Sequence, residues 1–302
     1  MIEIAGRKIG FGYPPVLSCE LSISHNGNLD TALQMIDEAA KCGADACKLQ
    51  YYVTEDFTKP DGEMITYKQV AWSGGVVHHK DLEKGIFPNK HPYQDGVGGY
   101  LLHEITEPIY DLFKRNEIDL TFVKACQKRA KEHDLIFGVT TTSIQGVKEM
   151  AELNIDYLKV SSDMINNKEM IREMTLSKIP IIASTGHIKS FTELAEWDLT
   201  TLKTKLPHQT LFLHCESSYS AEYPKLWKLK HLQWFLWETI PFTKGLAGYS
   251  HHSQGIDACI RATELGAVWV EVHYTHSKTA SGPDHFWSLD EKELKQLVEA
   301  VK

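Results

Sequence analysis

Short apolar runs rich in β-branched residues alternate along this chain with longer segments of helical period. Eight runs are short enough to be buried strands. They are Val16–Glu20, Asp45–Gln50, Leu135–Thr140, Asp156–Val160, Pro180–Ser184, Thr210–Cys215, Gly245–Ser250 and Val268–His273. Their nearly continuous apolar character is typical of parallel strands that helices cover on the outside.

Helix signals lie between these runs. Leu29–Cys42 is followed by Gly43, and Gly255–Leu265 is followed by Gly266. Glycine is common directly after the last turn of a helix. Asp290–Val301 predicts a final helix. Eight strands with intervening helices predict an α/β fold of the (β/α)8 TIM-barrel type, for which ~250 residues is typical. An open doubly wound sheet ranks second, because no GxGxxG turn follows any run.

Two segments extend this barrel. Ile2–Ile9 predicts an N-terminal β-hairpin that closes the barrel bottom. Tyr51–Asn116 is a long insertion after the second strand, and we expect a lid over the barrel mouth with a helix at Glu104–Lys114. The whole chain, residues 1–302, is predicted to be a single domain. Trp234 and Trp237 are expected to pack against the core.

Composition narrows the class of protein. The chain is 42% hydrophobic and 24% charged, with a net charge of −8, as in a soluble globular protein. Without a basic cluster we expect no nucleic-acid partner, and without a long apolar run we expect no membrane span. Six cysteines without CxxC spacing and no signal peptide indicate reduced thiols and a cytoplasmic location.

Polar residues mark the carboxyl ends of the predicted strands, where TIM barrels carry their chemistry. They are Glu20, Lys48, Gln50, Thr140, Lys159, Ser162, Ser184, His214, His252, Glu271 and His273. Lys48 and Lys159 emerge from buried runs. Because a buried lysine needs an anion, the two together predict a site for a phosphate or carboxylate group.

Histidines and carboxylates at these ends leave alternatives open. His214 and His252 end adjacent strands and could share a metal ion, or each could be satisfied by backbone partners. Glu20 and Glu271 could act as acids and bases, as metal ligands, or as ion-pair partners of the lysines. Position alone favours the ion pairs.

Seven blocks, in order, carry a resemblance over nearly the whole chain outside the insertion. They are Cys19–Asn28 with Cys42–Gln50, Phe137–Thr140, Tyr157–Ser162, Ala183–Gly186, Leu213–Tyr219, Gly248–Gly255 and Gly266–His285. Together they resemble the sialic acid synthase (NeuB-like) family. The resemblance implies a barrel enzyme that condenses phosphoenolpyruvate with a sugar aldehyde such as N-acetylmannosamine. The product would be a 3-deoxy-2-keto sugar acid of nonulosonic type, with release of phosphate.

The resemblance also implies roles for individual residues. A divalent metal, Mn²⁺ first with Mg²⁺ or Co²⁺ as alternatives, would be held by His214 and His252. Phosphoenolpyruvate would lie on Lys48, Thr140, Lys159, Ser162 and Ser184. Glu20 would transfer protons, with Glu271 as a further catalytic residue, and Gln50, Tyr219, His273 and Asp284 would contact substrate.

Departures from the family pattern fall on the acceptor side. His251 stands where an acidic residue is usual, and Met164 stands where an acceptor-side carboxylate is expected. We therefore expect a non-standard acceptor. The family's C-terminal antifreeze-like domain is absent before Lys302, so a homodimer without it, or a separate chain in its place, is expected. The insertion could instead reach the acceptor through Lys80, Lys84, Lys90 or Arg115.

Two other functions compete with this one. A different metal-dependent barrel enzyme, an aldolase or sugar isomerase, would use the same histidines, but a neutral sugar does not need two buried lysines. A catalytically lapsed barrel that acts as a binding partner is the second alternative, and the changes at Met164 and His251 make it conceivable.

Overall fold

A computed structural model describes residues 1–60, 62–70, 102–194, 210–217, 224–240 and 243–302. Its strands are β1 (Ile2–Ile4), β2 (Arg7–Ile9), β3 (Val16–Glu20), β4 (Ala46–Tyr51), β5 (Met64–Val70), β6 (Leu102–Pro108), β7 (Ile136–Thr141), β8 (Tyr157–Val160), β9 (Ile181–Ser184), β10 (Thr210–Cys215), β11 (Ala247–His251) and β12 (Trp269–His273). Its helices are α1 (Leu29–Cys42), α2 (Ile109–Asn116), α3 (Leu120–Glu132), α4 (Ile144–Glu152), α5 (Lys168–Ser177), α6 (Trp227–Thr239), α7 (Asp257–Glu264) and α8 (Glu291–Val301).

Eight parallel strands close into a barrel in the order β3-β4-β7-β8-β9-β10-β11-β12, with β12 pairing back to β3. Helices follow the strands and cover the barrel, so the predicted (β/α)8 TIM barrel is confirmed. Each predicted strand lies within two residues of an observed one. None of the described helices is long and apolar enough to cross a membrane.

The pleat of each strand decides which residues face the barrel interior. On β8, Tyr157 belongs to the interior cluster, whereas Leu158 and Val160 belong to the core between barrel and helices. Lys159 therefore points inward, because successive side chains of a strand alternate between its two faces. The same alternation holds along the other barrel strands.

The N-terminal hairpin seals the bottom of the barrel, as predicted. β1 and β2 pair in antiparallel register, and Ile2, Ile4 and Ile9 join one buried cluster with interior residues of the barrel strands. Above them, Tyr157 crosses the interior. A Cβ atom at Gly138 would lie 2.1 Å from the Tyr157 ring, so only glycine leaves room for that ring.

Capping residues fix the ends of the first helix. The Asn28 side chain accepts a hydrogen bond from the Thr31 amide at 3.0 Å, which satisfies a donor of the first turn. Gly43 follows α1 with φ of 92°, a conformation that favours glycine. The predicted bounds of α1 are confirmed, and α7 and α8 lie within two residues of their predictions.

Two predictions of local structure are wrong. Glu104–Pro108 is not helical but belongs to β6, which pairs in antiparallel register with β5. Helix α2 begins only after Pro108, which has no N–H to donate inside a helix. Trp234 and Trp237 are 66% and 63% exposed, because the leucines of α6 occupy its buried face.

Candidate active site

A cavity of about 420 Å³ opens at the carboxyl ends of the barrel strands. Ten residues predicted for the site line it: Glu20, Lys48, Gln50, Thr140, Lys159, Ser162, Ser184, His252, Glu271 and His273. They come from seven of the eight barrel strands or from the residues just after them, and the inward parity of the pleat brings the strand residues together. Tyr219 lies outside the described residues. His214 and Asp284 do not line this cavity.

Lys48 occupies the centre of the polar wall. Its ammonium forms an ion pair with Glu20 and donates a hydrogen bond to Thr140 Oγ1 at 2.7 Å. Glu271 Oε2 lies 4.0 Å away. Burial lowers the pKa of Lys48 to about 7; the nearby Glu271 charge opposes this shift and Lys159 adds to it. Lys48 can therefore change its protonation state at neutral pH.

Lys159 lies on the other side of Glu271. Its Nζ donates to Ser184 Oγ at 2.7 Å and to the Val160 carbonyl at 3.0 Å, and lies 3.6 Å from Glu271 Oε1. Burial alone would raise the pKa of Glu271, but Lys159, Lys48 and the hydroxyl of Ser250 together lower it. Glu271 is therefore a carboxylate held between two ammonium groups.

The charges of this cluster balance when both lysines are protonated. Two ammonium groups face two carboxylates, as the ion-pair interpretation of Glu20 and Glu271 predicts. Each ammonium has three N–H donors, and Lys48 and Lys159 each use two of them in the hydrogen bonds described. Counting partners in the described part of the chain, one donor on each lysine is left to bind an anion, beside the hydroxyl groups of Ser162 and Ser184.

His252 and His273 form a second side of the cavity. Their ring centroids lie 5.3 Å apart. His252 Nδ1 lies 3.1 Å from the Glu216 carbonyl oxygen and 3.3 Å from Cys215 Sγ. Burial lowers the pKa of His252, but the Cys215 sulfur, the Glu271 charge and the Glu216 carbonyl together raise it above its usual value. An imidazole with its Nδ1 directed at a carbonyl and a thiol is held in one orientation.

The structure does not bring His214 into the cavity. His214 has the outward parity of Phe212, and its ring lies 6.0 Å from that of Tyr249 in the core beside the helices. Its Nε2 is buried without a hydrogen-bond partner among the described residues, and burial lowers its pKa to about 4. Within the same residues, no three His, Cys, Asp or Glu side chains converge. The predicted two-histidine metal site therefore does not fit this geometry.

The residues that depart from the family pattern lie in different places. Met164 lines the cavity beside Asp163. His251 faces outward, is fully buried, and does not line the cavity; burial lowers its pKa to about 3. Arg115 lines neither this cavity nor its neighbour and pairs with Glu107 instead. Lys80, Lys84 and Lys90 lie outside the described residues.

A second cavity of about 430 Å³ adjoins the first. The two share Gln50 and Phe113 in their walls. Asp284 lines the second cavity, where the Ser22 hydroxyl donates to its carboxyl group at 2.6 Å. Burial raises the pKa of Asp284, and His273 Nδ1 lies 3.8 Å away. Asp284 thus lines the second cavity close to His273 of the first.

Some residues of the site were not predicted. Ser250 donates a hydrogen bond to Glu271 Oε1 at 3.1 Å, and Cys215 contacts His252. Both share the inward parity of their strands, and that signal could have identified them. Tyr52, Phe57 and Phe113 form an aromatic cluster with centroids 5.0–5.6 Å apart that walls one side of the cavity. This cluster needs the insertion to be folded, and nothing local signals it.

Comparisons with known proteins identify a family and relatives that match most of this chain. The NeuB family matches residues 88–302. N,N'-diacetyllegionaminic acid synthase of Campylobacter jejuni is 27% identical over 288 residues, which are 95% of this chain and 75% of that protein. Human N-acetylneuraminate-9-phosphate synthase is 28% identical over 299 residues, which are 98% of this chain and 72% of that protein.

A solved structure with the same fold is N-acetylneuraminic acid (sialic acid) synthetase from Leptospira borgpetersenii, in complex with citrate. It is 25% identical, with a TM-score of 0.75 over 99% of this chain and 87% of that one. The family match covers most of this chain, and the structural match extends over nearly all of it. This chain therefore belongs to the NeuB family.

Proposed function

We propose that this protein condenses phosphoenolpyruvate with a sugar aldehyde and releases phosphate. The product would be a 3-deoxy-2-keto sugar acid of the sialic acid type. The observation that carries the proposal is the convergence of two buried lysines, Lys48 and Lys159, on one cavity at the barrel mouth. Their remaining N–H donors and the hydroxyl group of Ser184 suit an anionic substrate. The named relatives are synthases of acidic sugars, which supports the same substrate class.

The proposed reaction balances in two steps. C3 of phosphoenolpyruvate attacks the aldehyde carbon and forms the carbon–carbon bond, while the aldehyde oxygen takes up a proton and becomes a hydroxyl group. Water then adds at C2 and loses a proton. The tetrahedral intermediate expels phosphate by cleavage of the C–O bond, and the proton of the C2 hydroxyl group leaves with the phosphate, so that C2 becomes a keto group.

Residues of this chain can donate the proton to the aldehyde oxygen and accept the proton from water. Lys48, with its pKa lowered to about 7 by burial, is an acid that can donate to the aldehyde oxygen at neutral pH. Glu271 is ionised between the lysines and can take the proton from water. Glu20, paired with Lys48, can accept a proton and pass it on to that lysine. Lys159 and Ser184 would hold the phosphate and balance the charge that develops as it leaves.

A divalent cation, Mn²⁺ first, is a separate proposal, and no step above depends on it. Of the two predicted ligands, only His252 faces the cavity, so a two-histidine site would require His214 to turn inward. Such a cation would act as a Lewis acid on the acceptor aldehyde. Manganese content of the purified protein, measured with and without a chelator, tests this requirement.

Phosphate release from phosphoenolpyruvate, measured across a panel of aldoses of four to six carbons, tests the proposed function. The reaction is run with manganese and with a chelator. Lys159→Met is the inactive comparison, and Lys128→Met, at a lysine whose side chain is 81% exposed, is the matched control. We expect release with at least one aldose in the wild-type protein and in Lys128→Met, and none in Lys159→Met.

The alternatives give different results in the same assay. A metal-dependent aldolase or isomerase would convert an aldose without consuming phosphoenolpyruvate. A lapsed barrel would bind ligands without turnover of any aldehyde. Efficient formation of N-acetylneuraminate from N-acetylmannosamine would contradict the non-standard acceptor that Met164 and His251 suggest. A cytoplasmic location and a homodimer complete the proposal, and fractionation and native mass measurement test them.

A further inference from the structure

The outer face of α6 carries large apolar side chains that the barrel core does not use. The leucines of this helix are buried, whereas Trp227, Trp234 and Trp237 are 57%, 66% and 63% exposed. At 3.6 residues per turn, residues seven apart lie on the same side of a helix, about 10 Å from each other. Trp227 and Trp234 are therefore in line, and Trp237 follows about one turn later. The three indoles form one stripe along the solvent face of α6.

Neighbouring segments hold this stripe in a defined place. A Cβ atom at Gly245 would lie 3.3 Å from Trp237 Cβ, so the last tryptophan stands directly over the turn before β11. Gln233 donates a hydrogen bond to the Gly266 carbonyl at 3.1 Å. Phe11 lies beside the same glycine and is 59% exposed. A fourth aromatic ring thus extends the apolar surface beyond the helix.

The apolar area of this surface is large enough to form much of an interface. An aromatic side chain has a surface of about 150–250 Å². At the exposed fractions of the three tryptophans and Phe11, about 400–600 Å² therefore remains open to water. Single exposed apolar residues are common, but a group of this size is typical of an interaction surface. A standard interface buries about 800 Å² on each partner, so these four rings would supply about half of it or more.

Charged groups on the same face indicate which partner fits. Lys230 and Glu238 are exposed, and each lies four residues from Trp234, one on either side. In two copies of α6 packed antiparallel across a twofold axis at Trp234, Lys230 of each copy faces Glu238 of the other. His231 is the third titratable group among the exposed residues of α6, and it would face Trp237 of the other copy. The face is therefore complementary to itself.

An anionic lipid surface fits this face less well. Tryptophan and lysine also favour lipid headgroups, and Lys225, Lys228 and Lys244 lie on or beside α6. However, Lys228 already pairs with Glu216 at 3.8 Å, and Glu238 lies within the exposed face. The net charge of the chain is −8, so an anionic membrane would repel the protein as a whole. A second copy of this chain is the better partner.

We propose that the exposed face of α6 is the interface of a symmetric homodimer, in which the two copies of the helix pack antiparallel around Trp234. Trp227, Trp237 and Phe11 would supply the surrounding apolar area, and Lys230 and Glu238 would set the register. This inference names the surface of the homodimer that belongs to the proposed function, and it does not depend on the reaction.

Sedimentation equilibrium of the purified protein over a range of concentrations tests the surface directly. Trp234→Asp removes the central ring from both copies and should weaken dimerisation at least about 100-fold, as expected for buried tryptophans at the centre of an interface. Leu176→Asp is the matched control, because Leu176 is an apolar residue of α5 that is 48% exposed. It should leave the dimer unchanged.

A charge exchange tests the antiparallel register with substitutions at exposed positions, which also covers the case in which Trp234→Asp does not fold. Lys230→Glu and Glu238→Lys each place like charges opposite one another and should weaken dimerisation about tenfold. The double variant restores opposite charges and should return the affinity to near the wild-type value. Losses that simply add in the double variant would overturn the antiparallel packing.

Other outcomes would overturn the surface itself. A wild-type protein that is monomeric at every concentration would contradict the dimer. A dimer that persists unchanged in folded Trp234→Asp would show that the two copies meet elsewhere. Monomeric protein that binds phosphatidylserine vesicles, and loses this binding in Trp234→Asp, would assign the face to a membrane. Phosphate release measured on the same samples is a separate result, so failure of the condensation and failure of the interface are distinguished.

Discussion

Phosphoenolpyruvate binding should weaken as the pH rises through about 7, because Lys48 then loses its charge. Burial lowers the pKa of Lys48 from 10.5 to about 7 in the free protein. The ammonium is fully present below this pKa and is lost above it. Because the lysine charge favours an anionic substrate, affinity should be highest on the acid side of the transition.

The size of the effect follows from the charged fraction. If only the charged form binds, the apparent Kd equals the intrinsic Kd divided by the fraction that is competent. With a pKa of about 7, binding should be about 10-fold weaker at pH 8 and about 100-fold weaker at pH 9 than on the acid plateau. The bound anion stabilises the ammonium, so binding above pH 7 should also take up about one proton.

Calorimetry between pH 6 and pH 9, in buffers of different ionisation enthalpy, gives both the Kd and the number of protons taken up. Lys48→Arg is the key variant, because a guanidinium stays charged over this range. Its binding should lose most of the pH dependence. Lys128→Arg, at an exposed position, should keep the wild-type profile. Equal slopes in the wild-type protein and Lys48→Arg would refute the reasoning, since the titrating group would then lie elsewhere.

Three further changes test other parts of the structure. Lys159→Met should weaken phosphoenolpyruvate binding by about 2–5 kcal/mol and sugar binding far less; equal losses in calorimetry would place this lysine elsewhere. Manganese binding, followed by equilibrium dialysis, should be lost in His252→Ala and kept in His214→Ala, whereas loss in both would show that His214 turns inward. Gly138→Ala should lower stability by about 1–3 kcal/mol or more in thermal unfolding, because its Cβ would meet the Tyr157 ring; an unchanged melting temperature would contradict this packing.

Most of the barrel could be predicted because its signals are local. Each strand is a short apolar run bounded by turn residues, and Val16–Glu20 and Thr210–Cys215 have the same bounds in the prediction and the structure. Helix α1 carries its own end signals in Asn28 and Gly43. Alternation of such elements leaves few architectures, because parallel strands need helical crossovers on the same side.

Elements that depend on distant partners could not be predicted in this way. The residues of Leu102–Pro108 are extended because they pair with Met64–Val70, about 40 residues earlier. A prediction from the local sequence does not include that partner strand. Trp234 and Trp237 were expected in the core because of their size. The leucines on the opposite face of α6 already fill the contact with the barrel, so the indoles remain outside.

The candidate site shows where a finer use of the sequence would have helped. Position at a strand end places a residue near the barrel mouth, but only its parity says whether it faces the cavity. On β10, Leu211 and Leu213 face the interior and Phe212 faces the helices, so parity turns Cys215 inward and His214 to the helix side. Lys48 and Lys159 have inward parity on their strands, which agrees with their place in the cavity wall. Parity cannot give the second cavity, because that site exists only where a hairpin from the insertion packs across the mouth of the barrel.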